Sequence, residues 1–223
     1  MLFVLSGSSG SGKTTLARIV ERRVSNLAVH ELAELTETPW NEDGSSRTWR
    51  RRQTERWLRR AGELEAEGVD LLLTEAIFGE LLAAPSAPAV SGIAACLVEC
   101  GSLERLRRLH ARAPDEELDA HEAWEYCVWG LWLRLHAEDP QVFAGPIRGE
   151  PAPDWQWSRW ERWRRGDPRW SISILETTGR TIAESAAELE SWVDEQRALH
   201  AAGALPLSGR WWDSPLTSVR VSG

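Results

Sequence analysis

The segment Gly7-Ser8-Ser9-Gly10-Ser11-Gly12-Lys13-Thr14 constrains this chain more than any other. It fits the pattern G-x-x-x-x-G-K-[ST] without a mismatch. An apolar run, Met1 to Leu5, precedes it and reads as a buried strand. Residues 13–24 follow, with Leu16, Ile19, Val20 and Val24 at helical spacing. A glycine loop between a strand and a helix is suited to wrapping polyphosphate. Backbone N–H groups must curl close to the anion, which glycine permits because it has no Cβ. The helix N-terminus adds unpaired N–H groups and a favourable dipole. Gly7, Ser8, Ser9, Gly10, Ser11, Gly12, Lys13, Thr14 and Thr15 are therefore the predicted nucleotide contacts, with Lys13 on the outer phosphates and Thr14 offering a hydroxyl to Mg²⁺. A dinucleotide-binding loop would need glycine where Thr15 stands.

Composition sharpens this reading. Among 26 basic residues there is a single lysine, Lys13. A chain so biased toward arginine keeps its one lysine where a compact ammonium is needed and a planar guanidinium fits poorly. The net charge of −8 disfavours sequence-independent nucleic-acid binding. The three cysteines, Cys96, Cys100 and Cys127, lack CxxC spacing and read as reduced thiols rather than a zinc site. No apolar run approaches the ~18–20 residues of a membrane span, and the N-terminus lacks a basic signal region. The expectation is a cytoplasmic protein with no membrane partner.

The rest of the chain alternates. Residues 27–35 read as a second strand, and residues 36–46 hold the turn residues Pro39, Asn41, Asp43 and Gly44. A helix over 47–67 presents Trp57, Leu58, Ala61 and Leu64 inward and stops at Gly68. Strands are expected at 69–74, 93–100 and 171–176. Helices are expected over 103–112, with Leu103, Leu106 and Leu109, and over 181–199, with Ile182, Ala186, Leu189 and Val193 on one side. This rhythm predicts an α/β fold, a parallel sheet of about five strands flanked by helices. Residues 113–170 interrupt it. They hold a helix start at Pro114-Asp115-Glu116-Glu117 running to about Ala137, then a tryptophan-rich stretch. Trp157, Trp160 and Trp163 fall at helical spacing, with Asp154 as a candidate cap. The expected organisation is a core of 1–112 and 171–202, a helical insertion at 113–170, and an irregular tail at 203–223. The insertion's tryptophans read either as a small satellite core or as a pocket for a ring-bearing acceptor.

The chain resembles the P-loop kinases of small molecules and nucleotides, the adenylate, shikimate, gluconate and chloramphenicol kinase-like group. Residues 2–15 carry the match most specifically. CLVECGSLERLRRLHAR at 96–112 and ILETTGRTI at 174–182 are similar to that group's fourth strand with its arginine helix, and to its last strand with its base loop. The resemblance implies ATP and Mg²⁺ as cofactors and an acceptor that the sequence does not identify. It implies that residues 113–170 act as a lid. Three apolar strands end in carboxylates, Glu75, Glu99 and Glu176. The resemblance favours Glu75, beside the loop strand, to hold Mg²⁺ or take the acceptor's proton. It also places a substrate or base carboxylate near Glu31 and Glu34. Arg105, Arg108 and Arg112 fall along one helix side and are implied to neutralise charge on the moving phosphoryl group. Arg180 is a candidate to stack on the base. The run Arg47 to Arg60 reads mainly as a solvated face, with an anion site as the sharper alternative.

Two further functional classes accompany the kinase reading: a nucleotide-dependent switch or accessory ATPase, and a nucleic-acid end-processing kinase. A productive acceptor pocket separates the first from a kinase, and a basic groove would be required for the second.

Overall fold

The computed structural model describes residues 1–35, 46–112, 119–149 and 152–213. In chain order these hold β1 (Leu2–Ser6), α1 (Lys13–Glu21), β2 (Leu27–Glu31), α2 (Ser46–Ala66), β3 (Asp70–Thr74) and α3 (Phe78–Ala83). There follow β4 (Ile93–Glu99), α4 (Ser102–Arg112), α5 (Ala120–Glu138), α6 (Gly145–Arg148), β5 (Ile172–Glu176) and α7 (Ile182–Ala201). The turn residues expected between 36 and 45, the helix start at 114–117, and residues 214–223 lie outside the described residues.

The five strands form one all-parallel sheet in the order β2-β3-β1-β4-β5. The predicted α/β architecture is the observed one. β1 is central and apolar on both faces, as a parallel strand covered by helices must be. Leu2 and Val4 face the layer holding α2, α3 and α5, and Phe3 and Leu5 face the layer holding α1 and α7. Val4 lies opposite Leu73 of β3 on one side and Ala95 of β4 on the other. The connections out of β1 and β3 therefore diverge at the carboxyl edge, which opens a crevice there.

Several local expectations are corrected. The second strand ends at Glu31, not at residue 35, because its partner β3 ends opposite it at Thr74. A 3-10 turn, Leu32–Leu35, takes over, and the Trp57 indole donates to the Leu32 carbonyl at 3.0 Å. Trp157 to Trp163 do not form a helix; only Trp157–Arg159 make a 3-10 turn, with no side-chain cap. Contacts from elsewhere replace the helical ladder. Gln156 N–H and Arg159 Nη1 bond carbonyls of α3 or just beyond it, and Gln141 Nε2 donates to the carbonyls of Trp160 and Trp163 at 3.3 and 3.1 Å. In α4 Leu103 is 64% exposed, and Arg105 is the buried residue. Of the residues expected on one side of α7, Ala186, Leu189 and Val193 are buried, and Ile182 is exposed at the helix start, where Thr181 closes a capping box with Glu184.

The tryptophans of the insertion are not a satellite. Trp132, Trp160, Trp163 and Trp170 are buried in the same cluster as Leu2, Val4 and Leu97 of the sheet, and Trp211 of the tail joins them. Their polar edges are used: Trp132 Nε1 donates to Phe143 O at 2.9 Å, and Trp170 Nε1 to His136 O at 3.0 Å. Arg148 lies over Trp160 at 4.2 Å. The arginine run of α2 is only partly a solvated face. Arg51 is buried, lies over Trp155 and Trp157, and donates to Ile147 O. Arg50 pairs with Glu80, which is fully buried. Arg60, by contrast, pairs with Glu63 and Glu67 at the surface.

His136 sits at the centre of this aromatic cluster, stacked on Trp132 and edge-on to Trp170, and neither ring nitrogen has a hydrogen-bond partner among the described residues. Burial, helped by the nearby Arg148 charge, lowers its pKa from 6.5 to about 3. The unfolded chain therefore binds this proton first. His136 contributes its full stability above pH 6.5 and loses it progressively as pH falls toward 3. Over that window it should cost up to ~1.4 kcal/mol per pH unit. Thermal melts of wild type and His136→Phe between pH 7 and 4 should diverge, with the variant less acid-sensitive; parallel pH profiles would refute this.

Candidate active site

The loop after β1 is shaped by what its glycines leave out. A Cβ on Gly7 would meet Ser11 Oγ at 2.6 Å and the Val98 carbonyl at 2.7 Å. Gly12, which caps α1, has φ +98°, a conformation other residues adopt only with strain. The loop thus forms a cradle of backbone N–H groups at a helix start, which fits a polyphosphate. Lys13 and Thr14 open α1. Lys13 is 8% exposed, and its Nζ lies 3.3 Å from Glu75 Oε1. Glu75 immediately follows β3 in the left-handed region at φ +71°, and its N–H donates to Leu5 O at 3.2 Å. Backbone strain of this kind costs on the order of 1–3 kcal/mol and is held only by surrounding structure. It sets Glu75 beside Lys13.

A second set of contacts holds the loop from the other side. The buried Thr177, after β5, places its hydroxyl 3.0 Å from Ser11 O and 2.9 Å from Glu99 O. Arg108 of α4 donates from Nη1 to that hydroxyl at 3.1 Å and from Nη2 to Thr177 O at 2.8 Å. Ser8 Oγ donates to the Tyr126 carbonyl of α5 at 2.8 Å. Arg105 donates to that same carbonyl and to Cys100 O. Its guanidinium is thus buried beneath Gly130 and lines neither cavity of the phosphate loop, which sets it apart from the catalytic place expected for it.

Three cavities adjoin this loop. One of about 420 Å³ runs from Gly10 and Gly12 past Arg108 and Thr177 to Arg180 and Ile182. The exposed Ile182 therefore lies in the wall of a cavity. A second, of about 400 Å³, holds Lys13, Thr14, Glu31, Glu75 and Arg112. Arg112 lines both of these. A third, of about 210 Å³, lies on the other side of Lys13 and Glu75, under α5, with Trp49, Arg50, Trp129 and Leu133 in its walls. The other carboxylates are engaged elsewhere: Glu99 pairs with Arg134, Glu34 with Arg18 and His30, and Glu176 accepts from Thr178 N–H. Arg180 pairs with Glu188.

No protein-family model matches the chain, and no curated protein does. Solved structures do. A thymidylate kinase from Candida albicans superposes with a TM-score of 0.55 at 13% identity, over 89% of this chain and 92% of that one. A sugar kinase from a Janibacter species gives 0.52 at 14% identity, over 89% and 96%. A putative kinase from Chloroflexus aurantiacus gives 0.50 at 13% identity, over 87% and 96%. The chain has the P-loop kinase fold.

Within that fold, the structure brings Lys13, Thr14, Glu31, Glu75, Arg112, Arg108 and Arg180, the residues singled out in the sequence, around adjoining cavities at one sheet edge. Sequence reasoning did not single out Thr177, whose signal was a buried threonine directly after a strand-end glutamate. Nor did it find the third cavity, because Trp49 and Arg50 of α2 and Trp129 and Leu133 of α5 converge only in the tertiary structure. Two substitutions probe the loop. Gly7→Ala should lose nucleotide-analogue binding and lower stability by about 1–3 kcal/mol, through overpacking against Val98 O. Thr177→Val should keep the fold and weaken analogue binding several-fold, read by calorimetric titration; an unchanged Kd would show that the Ser11 contact is dispensable.

Proposed function

We propose that this protein transfers the γ-phosphoryl group of ATP to a small-molecule acceptor. One observation carries the reading: the Lys13–Glu75 pair stands between a loop-bounded cavity and a second cavity beneath α5. A switch ATPase has no need of the second compartment. In this reading the larger cavity takes the nucleoside against Ile182 and Arg180, and the glycine loop holds the phosphates. Lys13 exchanges Glu75 for the outer phosphates when nucleotide enters, which frees the carboxylate.

The acceptor hydroxyl, bound beneath α5, then attacks the γ-phosphorus. A bond forms from acceptor oxygen to phosphorus, and the bond from phosphorus to the bridging oxygen breaks, with its electron pair leaving on ADP. Glu75 orients the hydroxyl and takes its proton. Lys13 and Arg112 stabilise charge on the equatorial oxygens. The residues present also fit Mg²⁺, which takes one or two carboxylates together with water and phosphate oxygens. Thr14 would hold it through its hydroxyl, with Glu75 and Glu31 near enough to the cavity to act through water. Bound there, it would neutralise phosphate charge. Residues 113–170, with α5 as their described helix over the site, serve in this reading as the lid that keeps water from the phosphoryl group.

An acceptor screen with ATP, read by mass spectrometry for the gain of one phosphoryl group, tests the reading. ATP hydrolysis with no acceptor product across a broad screen would favour the switch ATPase. Lys13→Ala should abolish transfer with an unchanged melting curve, and Lys13→Arg should be less severe. Arg112→Ala should lower kcat by a factor of about 10²–10³, a loss of ~2.7–4 kcal/mol, with little change in ATP affinity. Unchanged kcat would make Arg112 an ordinary surface residue.

A further inference from the structure

The cavity beneath α5 has a chemistry of its own. On the side of α2, α5 and the end of β3 its walls are Leu32, Ala76, Ile77 and Leu133 with the indoles of Trp49 and Trp129, and on the loop side Ser6, Gly7 and Ser9 close it. Trp129 is held in place by stacking on Trp132, ring centroids 4.7 Å apart and 17° from parallel. Three charged residues line the cavity: Lys13, Glu75 and Arg50. Lys13 and Glu75 are the pair assigned to the phosphoryl step. Arg50 is partly neutralised from behind. Its Nε donates to Glu80 Oε2 at 2.5 Å, and its Nη2 reaches Glu80 Oε1 at 3.4 Å and Pro146 O at 3.5 Å. Its Nη1 has no hydrogen-bond partner among the described residues, which leaves one donor edge for a ligand.

These features exclude two broad acceptor types. A nucleoside monophosphate needs several open cationic edges for its phosphate, and a volume of about 210 Å³ falls below the ~300–1,000 Å³ of sites for drug-sized ligands. A polyol would find polar partners only toward Ser6, Ser9 and the charged trio, and would bring its remaining hydroxyls against four aliphatic side chains and two indoles. Each hydroxyl buried without a partner costs about 1–3 kcal/mol. What matches is a flat apolar ring, which gains from the aromatic walls.

We infer that the acceptor is a compact ring-bearing alcohol carrying one hydrogen-bond-accepting group, its ring against Trp129 and Trp49, its hydroxyl at Glu75 and its accepting group on Arg50. This rests on the phosphotransfer reading above and names the substrate class of that same site. The ring alcohol becomes its phosphate monoester, ATP becomes ADP, and the hydroxyl proton passes to Glu75.

The test uses the full chain with Mg-ATP and three probe sets: benzylic and phenethyl alcohols bearing a ring amide or carboxylate, D-gluconate, and thymidine monophosphate. Products are read by mass spectrometry, and binding of each probe and of a non-hydrolysable ATP analogue by calorimetry. Ring alcohols should bind and gain one phosphoryl group, and the other two should not. Trp129→Ala should raise the KM for the ring alcohol about tenfold while leaving the KM for ATP unchanged, and Trp129→Phe should restore most of it. Arg50→Lys should weaken amide-bearing and carboxylate-bearing alcohols more than the parent ring alcohol. Preferential phosphorylation of gluconate or thymidine monophosphate would overturn the acceptor class and leave the kinase reading standing. So would a protein that binds the ATP analogue but no ring alcohol. Failure to bind the analogue at all would overturn the phosphotransfer reading, and the acceptor class with it.

Discussion

The carbonyl oxygen of Ser11 is the point on which the site depends. A loop that must offer most of its N–H groups to a ligand has few left to hold itself together, here Ser11 N–H to Ser8 O, so it is fixed largely through its carbonyls. Thr177 and Arg108 do this from β5 and α4, meeting the Ser11 carbonyl at 3.0 and 3.4 Å. That contact requires the ends of β1, β4 and β5 to share one edge, which the parallel order supplies. The sheet register, the placement of α4 and the conformation of the glycine loop are thus parts of one constraint.

The same economy of hydrogen bonds shapes the arginines. Guanidinium groups that a solvated-face reading would leave in water are drawn inward to cap backbone carbonyls and lie over indoles. Arg51, Arg105, Arg148 and Arg159 all point at carbonyls or rings of neighbouring segments. Irregular chain such as 152–171 carries many backbone groups with no ladder to join. A long side chain with five donors in a planar fork can satisfy several of them at once, over a wider spread than the three donors of a lysine ammonium. A composition biased toward arginine and tryptophan thereby becomes a way to build an interior from loops.

This also explains what could be read from the sequence. The sheet, its helices and the glycine loop were legible because each has a local signature: apolar runs, helical spacing, and a glycine pattern with a lone lysine. Trp57, Leu58, Ala61 and Leu64 face inward as their spacing requires. The stretch around Trp157 to Trp163 was misread because its spacing imitates a helix while its backbone bonds run to α3 and Gln141. Ile182 shows a different limit of spacing. An apolar residue at a helix start lies in a cavity wall, and periodicity alone cannot tell such a wall from a core. The cavity beneath α5 was invisible because its walls come from separate segments of chain, joined only by tertiary packing.

One contact in the loop reaches beyond the loop itself. The Tyr126 carbonyl takes a hydrogen bond from Ser8 on one side and from Arg105 on the other, and one turn further along α5 stands Trp129. The phosphate cradle and the wall of the cavity beneath α5 are therefore joined by a single peptide group. Two compartments that share a wall in this way are not independent thermodynamically. A nucleotide that drew Ser8 away would loosen this turn of α5, still held by Arg105, and a molecule that fixed α5 would steady Ser8. Linkage makes the two effects equal in size, so whatever affinity the first ligand lends the second, it receives in return.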